Sequence, residues 1–175
     1  MNFIFLGPQG SGKSTQAKML SENLTIPYID MGQTFRDKAK DGSEDGKTIK
    51  ASLDSGELVP DEIAIRTLNE KLNEEKFQHG FILDGYPRNL AQLEGLDKNI
   101  DKVFYVKVSD QEAIKRLSLR ARADDTEELL KRRLDIYHGK TEPLPSIFRE
   151  KGVLIDINGE RSIEEVNKEV LEKAK

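Results

Sequence analysis

The chain has 175 residues, which is the size of one folded domain. It carries 28 Lys and Arg against 32 Asp and Glu, a formal net charge of -4, and this balance excludes the broad positive field of proteins that bind nucleic acid non-specifically. With no Cys and two distant His residues, it has no thiolate ligands, and we expect no zinc site. No apolar run approaches the ~20 residues that span a bilayer, so we expect a cytoplasmic protein with no membrane partner.

Short apolar runs alternate with segments of helical spacing along the chain. The runs predict strands at 2–6, 27–29, 81–83, 103–108 and 153–157. Between them, residues such as Leu68 and Leu72, or Val166 and Val170, have the spacing of an amphipathic helix. The polar stretch 41–50 is typical of a loop between helices. Because the runs are almost wholly apolar, we expect strands buried on both faces, in a parallel sheet of a doubly wound α/β fold.

The first predicted strand leads into a phosphate-binding loop. Residues 7–14, GPQGSGKS, match the pattern G-x-x-x-x-G-K-[ST] between a strand and a helix. Glycines in such a loop let backbone N–H groups converge on phosphate oxygens, while Lys13 supplies a mobile positive charge. The hydroxyl of Ser14 can reach Mg²⁺ or a phosphate oxygen. The motif predicts a nucleoside triphosphate ligand, but it does not name the reaction.

The third predicted strand narrows the choice among phosphate-loop proteins. Guanine-specific switch proteins usually carry an Asn/Thr-Lys-x-Asp element, and the sequence has none. The segment 80–88, GFILDGYPR, instead places Asp84 and Arg88 just after a buried strand. Open α/β sheets bind their ligands at this carboxyl edge, so we expect both side chains in the site.

Separate motifs along the whole chain resemble those of the nucleoside monophosphate kinases, and within them the adenylate kinases with a short lid. They are GPQGSGKSTQA, IDMGQTFR, SGELVPDE, GFILDGYPRNLAQ, RLSLRARADD followed by LLKRRLDIY, TEPL and INGERSIEEV. The resemblance implies one domain with a P-loop three-layer α/β/α fold and a five-stranded parallel sheet. Its parts are a core (1–29, 63–119 and 126–175), a helical NMP-binding arm at about 30–62 and a short lid at about 120–125. This lid leaves no room for an insert with a metal knuckle.

The resemblance also implies an activity. It is the reversible, Mg²⁺-dependent transfer of the terminal phosphoryl group of ATP to AMP, giving two ADP, carried out by a monomer without zinc. Two alternatives stay open. One is the same chemistry on another acceptor, such as UMP, CMP or dAMP. The other is a nucleotide-binding regulatory protein that keeps the fold without turnover.

Position by position, the resemblance assigns residues to three sets. The ATP site comprises Gly7, Gly10, Ser11, Gly12, Lys13, Ser14, Thr15, Arg116, Arg120, Gly159 and Arg161. The AMP site comprises Met31, Gly32, Arg36, Leu58, Val59, Gly85, Arg88, Gln92, Arg122 and Arg133. The catalytic set comprises Lys13, Asp84, Arg88, Arg120, Arg122 and Arg133. Mg²⁺ is expected at Ser14 and Asp84, partly through water.

Charge and helix spacing, independently of the resemblance, also suggest that the arginines near the lid have a role in the site. Residues 115–133 carry seven cations and four anions, a positive patch in an acidic chain. Asp125 and Glu128 are spaced as a capping box, which predicts a helix from there through Tyr137. Arg133 falls near the middle of its apolar face, and a cation aimed at a core surface needs an anion. As the partner of Arg133 we favour a nucleotide phosphate over a protein carboxylate. For Arg132, a place on a solvent-exposed face and a role at a phosphate are equally good interpretations.

The chain departs from the adenylate kinase pattern at several positions. Met31 stands where these enzymes usually have Thr beside the acceptor base. Ser14 and Leu119 each replace a common glycine, after the phosphate-loop lysine and before the lid. Gln92, where uridylate/cytidylate kinases more typically carry Asn, favours adenine as the acceptor base.

Overall fold

The computed structural model describes residues 1–120 and 126–175, apart from the side chain of Arg120. In this part of the chain, five parallel strands form one sheet in the order β2-β3-β1-β4-β5. They are β1 (Asn2–Leu6), β2 (Tyr28–Asp30), β3 (Phe81–Asp84), β4 (Lys102–Lys107) and β5 (Leu154–Asn158). The register sets Phe5 opposite Asp84, and Asp84 opposite Asp30. All carboxyl ends therefore meet at one edge of the sheet.

Helices cover both faces of this sheet. They are α1 (Lys13–Leu24), α2 (Met31–Lys38), α3 (Glu44–Ser55), α4 (Asp61–Leu72), α5 (Leu90–Glu94), α6 (Asp110–Arg120), α7 (Glu127–Ile136), α8 (Leu144–Glu150) and α9 (Ile163–Ala174). A 3₁₀ turn spans Glu75–Phe77, and a π-helical turn follows α7 at Tyr137–Thr141. Among the described residues no helix has the length and apolar character needed to cross a membrane.

Two buried clusters hold the layers together. On one face, Leu20 of α1 and Val170 of α9 pack against Phe3, Phe5 and Phe104 of the sheet. On the other face, helices α2, α3, α4 and α8 pack against Ile4 and Leu83. Both faces of the central strands are thus buried, which explains their almost unbroken apolar sequence. The predicted three-layer fold with five parallel strands is confirmed.

The predicted loop at 41–50 is wrong from residue 44 onwards, because α3 begins there. Ser43 caps the helix, its hydroxyl accepting a hydrogen bond from the backbone N–H of Gly46 at 2.9 Å. Two acidic residues, Glu44 and Asp45, lie in the first turn, where they stabilise the positive end of the helix dipole. The stretch is polar because most of its residues are exposed, with Ile49 buried.

The start of α7 also differs from the prediction. Thr126 is the capping residue, its hydroxyl accepting a hydrogen bond from Leu129 N–H, whereas Asp125 lies outside the described residues. Leu130 and Leu134 are buried and Arg133 is partly buried beside them. The side chain of Arg132 is 52% exposed and forms an ion pair with Glu57.

Candidate active site

The phosphate loop joins β1 to α1 at the carboxyl edge of the sheet. Gly12 caps α1 with a φ of 88°, a left-handed conformation that side chains with a Cβ rarely adopt. A Cβ on Gly7 would lie 2.3 Å from the carbonyl oxygen of Val106, so the loop can pass β4 only with glycine at this position. Lys13 donates across the loop to the carbonyl of Pro8 at 3.2 Å. The backbone is therefore already curled at the N-terminus of α1, as phosphate binding requires.

Buried polar atoms of the loop remain available to a ligand. Within the described residues, Ser11 Oγ and Gln9 Oε1 are buried and have no hydrogen-bond partner. Buried polar atoms normally have partners, and exceptions call for an explanation such as a bound ligand, water or ion. Ser11 lies between Gly10 and Gly12, so an oxyanion bound by this loop would lie close to the Ser11 hydroxyl.

Asp84 ends β3 beside this loop. It is 2% exposed, and its Oδ2 accepts hydrogen bonds from Ser14 Oγ at 2.5 Å and from the Tyr28 hydroxyl at 3.1 Å. Its Oδ1 is buried and has no hydrogen-bond partner in the described part of the chain. The Ser14 proton is directed to Asp84, which leaves the lone pairs of that hydroxyl oxygen for a cation. Ser14 and Asp84 thus fit the oxygen ligands and water acceptors that Mg²⁺ prefers.

Arg88 is a cation without an ion-pair partner among the described residues. Its Nε donates to the carbonyl of Gly85 at 3.0 Å. Burial lowers the pKa of Arg88, nearby Asp84 opposes that change, and the cations Arg133 and Arg36 reinforce it. A desolvated guanidinium among other guanidiniums is costly unless an anion binds. The arrangement is therefore suited to a phosphate, which guanidinium groups bind in a bidentate manner.

One cleft brings most of the predicted residues together. The expected residues on its wall are Gly7, Lys13, Ser14, Gly32, Arg36, Leu58, Val59, Asp84, Gly85, Arg88, Gln92 and Arg133. Residues that the sequence did not indicate also line it, and they include Phe35, Leu53, Tyr137 and Thr141. Leu53 lies on α3, a helix that the sequence analysis did not predict. Phe35 directly precedes Arg36, a phosphate-binding candidate, on α2. That position is the sequence feature that could have identified Phe35 as part of the site.

Gln92 is held in place by its own neighbours. It is 3% exposed, its Oε1 accepts from the backbone N–H of Arg88 at 2.9 Å, and its Nε2 donates to Asp61 at 3.0 Å. Asn89 donates to the same Asp61 oxygen at 2.7 Å. Asp61 therefore orients the amide of Gln92, a contact between α4 and α5 that the sequence did not indicate.

A second group of predicted residues lies beside Gly12 rather than on the cleft wall. Arg116 donates to Glu112 at 2.6 Å and to the carbonyl of Gly159 at 2.9 Å. Its Nη1 would lie 3.9 Å from a Cβ on Gly12, so the guanidinium sits over the start of α1. Arg161 is paired with Glu169 of α9.

The remaining predicted residues divide into three cases. Met31 is fully buried within the core cluster that includes Leu83 and Tyr86, and it is not on the wall of the cleft. Thr15 is exposed in the first turn of α1. Arg122 lies outside the described residues, and of Arg120 only the backbone, at the end of α6, is described.

Comparison with known proteins identifies the family. The family model of adenylate kinase matches residues 5–153. The chain belongs to the adenylate kinase family. An adenylate kinase of Archaeoglobus fulgidus is 40% identical over 216 aligned residues that cover 100% of both chains. One from Thermobifida fusca is 40% identical over 182 residues, covering 98% of this chain and 96% of the relative, and one from Caldicellulosiruptor bescii is 37% identical over 209 residues, covering 98% and 97%.

Membership confirms the predicted class of enzyme, a nucleoside monophosphate kinase that transfers phosphoryl groups. The alignment with the Archaeoglobus protein is longer than this chain of 175 residues, so that relative carries segments this chain lacks. The shorter alignment with the Thermobifida protein leaves little room for such segments.

Proposed function

We propose that the chain catalyses the reversible transfer of the terminal phosphoryl group of Mg·ATP to AMP, giving two ADP. One observation carries the proposal. The curled phosphate loop with Lys13 and the desolvated guanidinium of Arg88 face one cleft, with Asp84 also on its wall. Among the described residues Arg88 has no ion-pair partner. Two separate phosphate sites with a carboxylate nearby are what transfer between two nucleotides requires.

The donor ATP occupies the loop side of the cleft. Backbone N–H groups around Gly10 and Gly12, with Ser11, bind the β and γ phosphates, and Lys13 leaves the Pro8 carbonyl to join them. The adenine lies against Arg116, which Glu112 and the Gly159 carbonyl already hold flat over the start of α1. Guanidinium planes stack well on aromatic rings, which supports this placement.

The acceptor AMP occupies the opposite side. Its phosphate binds Arg88 and Arg36, the latter exchanging its present bonds to the Gln33 amide for phosphate oxygens. Its base lies between apolar side chains of α2 and α3, Phe35 and Leu53, and reaches the oriented amide of Gln92. An apolar slot with one directed amide group is a typical base pocket.

Phosphoryl transfer follows once the two bound nucleotides are aligned. An oxygen of the AMP phosphate attacks the γ phosphorus of ATP, the bond to the β–γ bridging oxygen breaks, and both products are ADP. Lys13, Arg88 and Arg133 neutralise the charge that spreads over the transferring group. When bound at Ser14 and the free oxygen of Asp84, Mg²⁺ supplies further neutralisation of the donor phosphates. No side chain forms a covalent intermediate.

Water must be excluded, because it competes with AMP as the acceptor. We propose that the arm of residues 30–62 and the lid of residues 120–125 close over the core, and that Arg120 and Arg122 join the phosphates in that state. Arg132 on α7 pairs with Glu57 of the arm, so the arm and the core already touch beside the cleft that closure would cover.

The proposal is tested by incubating the purified chain with Mg·ATP and an equimolar mixture of AMP, dAMP, CMP, UMP and GMP, with chromatographic separation of the nucleotides. AMP should be consumed first. Preferential loss of CMP or UMP would refute the assigned acceptor base. Loss of no monophosphate, despite measurable ATP binding, would indicate a nucleotide-binding regulatory protein.

A further inference from the structure

The two oxygens of Asp84 are treated differently by the protein. Oδ2 accepts two hydrogen bonds, from Ser14 Oγ at 2.5 Å and from the Tyr28 hydroxyl at 3.1 Å. Oδ1 is equally buried, yet among the described residues it has no donor. Buried polar atoms normally have hydrogen-bond partners or ligands. Since the donors of the protein occupy Oδ2, we expect Oδ1 to bind a different partner.

Tyr28 reaches this carboxylate across the sheet. In the β2–β3 register Tyr28 lies opposite Ile82 and Asp30 opposite Asp84, so Tyr28 and Asp84 are diagonal neighbours on the same face. Such neighbours are about 7–8 Å apart, a gap that a long aromatic side chain can bridge and a short one cannot. The contact therefore depends on the length of tyrosine as well as on its hydroxyl group.

The ring of Tyr28 is itself held in place. It packs against the core cluster of Phe3 and Phe5, and the Lys18 ammonium lies 5.9 Å from the ring centroid. The hydroxyl therefore reaches Asp84 from a ring whose position is fixed by its packing.

The second donor comes from a different element. Ser14 belongs to the loop that binds phosphate, so its geometry responds to the ligand, whereas Tyr28 is anchored in the sheet. The terminal torsion of an aspartate is broad and roughly two-fold, so a single donor leaves the two oxygens poorly distinguished. Two donors on the same oxygen, approaching from α1 and from β2, define the plane of the carboxylate and the direction of Oδ1.

We propose that Tyr28 is a positioning residue that fixes the Asp84 carboxylate, so that Oδ1 faces the Mg²⁺ that accompanies the donor nucleotide or a water bound to it. This inference rests on the proposed function for the identity of the cation. Partners that orient the groups around a metal contribute substantially to its affinity, and their removal typically lowers metal affinity about 10-fold or more.

The test is Tyr28→Phe, which keeps the ring and removes the hydroxyl. Binding of Mn²⁺, an EPR-visible substitute for Mg²⁺, is titrated on the chain saturated with ATP, and ATP affinity is measured separately in the presence of a chelator. We expect the dissociation constant of Mn²⁺ to rise about 10-fold, with metal-free ATP affinity unchanged. Tyr105→Phe is the matched control, because it removes a hydroxyl that bonds to Tyr137 instead, and it should change neither value.

Further readouts separate positioning from a merely structural role. In an Asp84→Asn background, Tyr28→Phe should produce no additional loss of Mn²⁺ affinity. An undiminished Mn²⁺ affinity in Tyr28→Phe would overturn the inference, and so would an equal loss of ATP affinity without metal or an additional loss in the Asp84→Asn background. The binding measurements need no acceptor, so they are judged separately from the proposed function, which fails if the wild-type chain makes no ADP from ATP and AMP.

Discussion

Replacement of Arg88 by Met should separate function from stability. The guanidinium donates to the Gly85 carbonyl at 3.0 Å and has no ion-pair partner among the described residues. In the proposed complex it binds the AMP phosphate through charge-assisted hydrogen bonds, each contributing about 1.5–3 kcal/mol. Losing two of them removes roughly 3–6 kcal/mol of transition-state stabilisation, so kcat/KM for AMP should fall by about 10²–10⁴-fold.

The same substitution should cost little stability. It removes one backbone hydrogen bond, which contributes about 0.5–1.5 kcal/mol. It also removes a desolvated cation, and the relief of that desolvation and of the repulsion from Arg36 and Arg133 offsets part of the loss. These effects oppose each other, so the melting temperature should stay within about 2–4 °C of the wild-type value for a chain of this size.

The assay combines steady-state kinetics of ADP formation with thermal unfolding followed by circular dichroism, with and without AMP. AMP should raise the melting temperature of the wild-type chain and leave that of Arg88→Met unchanged. Arg149→Met is the control, because Arg149 is exposed, pairs with Asp156 and does not line the cleft. A variant that keeps its kcat/KM, or one that melts more than about 10 °C lower, would refute the reasoning.

Three further predictions concern other parts of the structure. Arg133→Met should keep the far-ultraviolet circular dichroism spectrum and lose more than about 10-fold in turnover, because its neighbours on α7 are apolar; an unchanged turnover would contradict the role proposed for Arg133. Phe35→Ala should raise KM for AMP about 10-fold or more and leave KM for ATP unchanged, whereas a loss for both nucleotides would indicate misfolding. The pKa of His138 is raised above 6.5 by hydrogen bonds to Glu142 and Asp110, so the protonated ring stabilises the fold. The destabilisation by His138→Asn in urea unfolding should therefore be fully present below pH 6.5 and vanish as the pH rises through the raised pKa, and a pH-independent difference would contradict it.

Local sequence was sufficient where the structure is determined locally. The phosphate loop combines a short pattern with a strand before it and a helix after it, and each of the five strands begins within one residue of its predicted start. Asp84 and Arg88 were placed at the carboxyl edge because they follow the apolar run 81–83, and Gly85 marks the turn after it. These features depend on neighbours within a few residues.

Two kinds of feature were not predicted: a helix start that no apolar period marks, and contacts between residues distant in sequence. The start of α3 is hidden because its first turns are exposed and polar, so no apolar period marks them, although Ser43 followed by Glu44 and Asp45 was a capping signal. The bonds from Tyr28 and Ser14 to Asp84 join residues 56 and 70 positions apart, which the β2–β3 register and the placement of α1 after β1 bring together. Spacing alone gives no such register.

The most direct test of the central claim starts from the product. The purified chain is mixed with ADP alone and Mg²⁺, and phosphorus NMR follows the nucleotides before and after addition of a chelator. We predict that ATP and AMP appear in equal amounts until equilibrium, and that the conversion stops when Mg²⁺ is removed. Spectra that keep only ADP, under conditions in which the chain binds ADP, would contradict the claim that this cleft transfers a phosphoryl group between two adenine nucleotides.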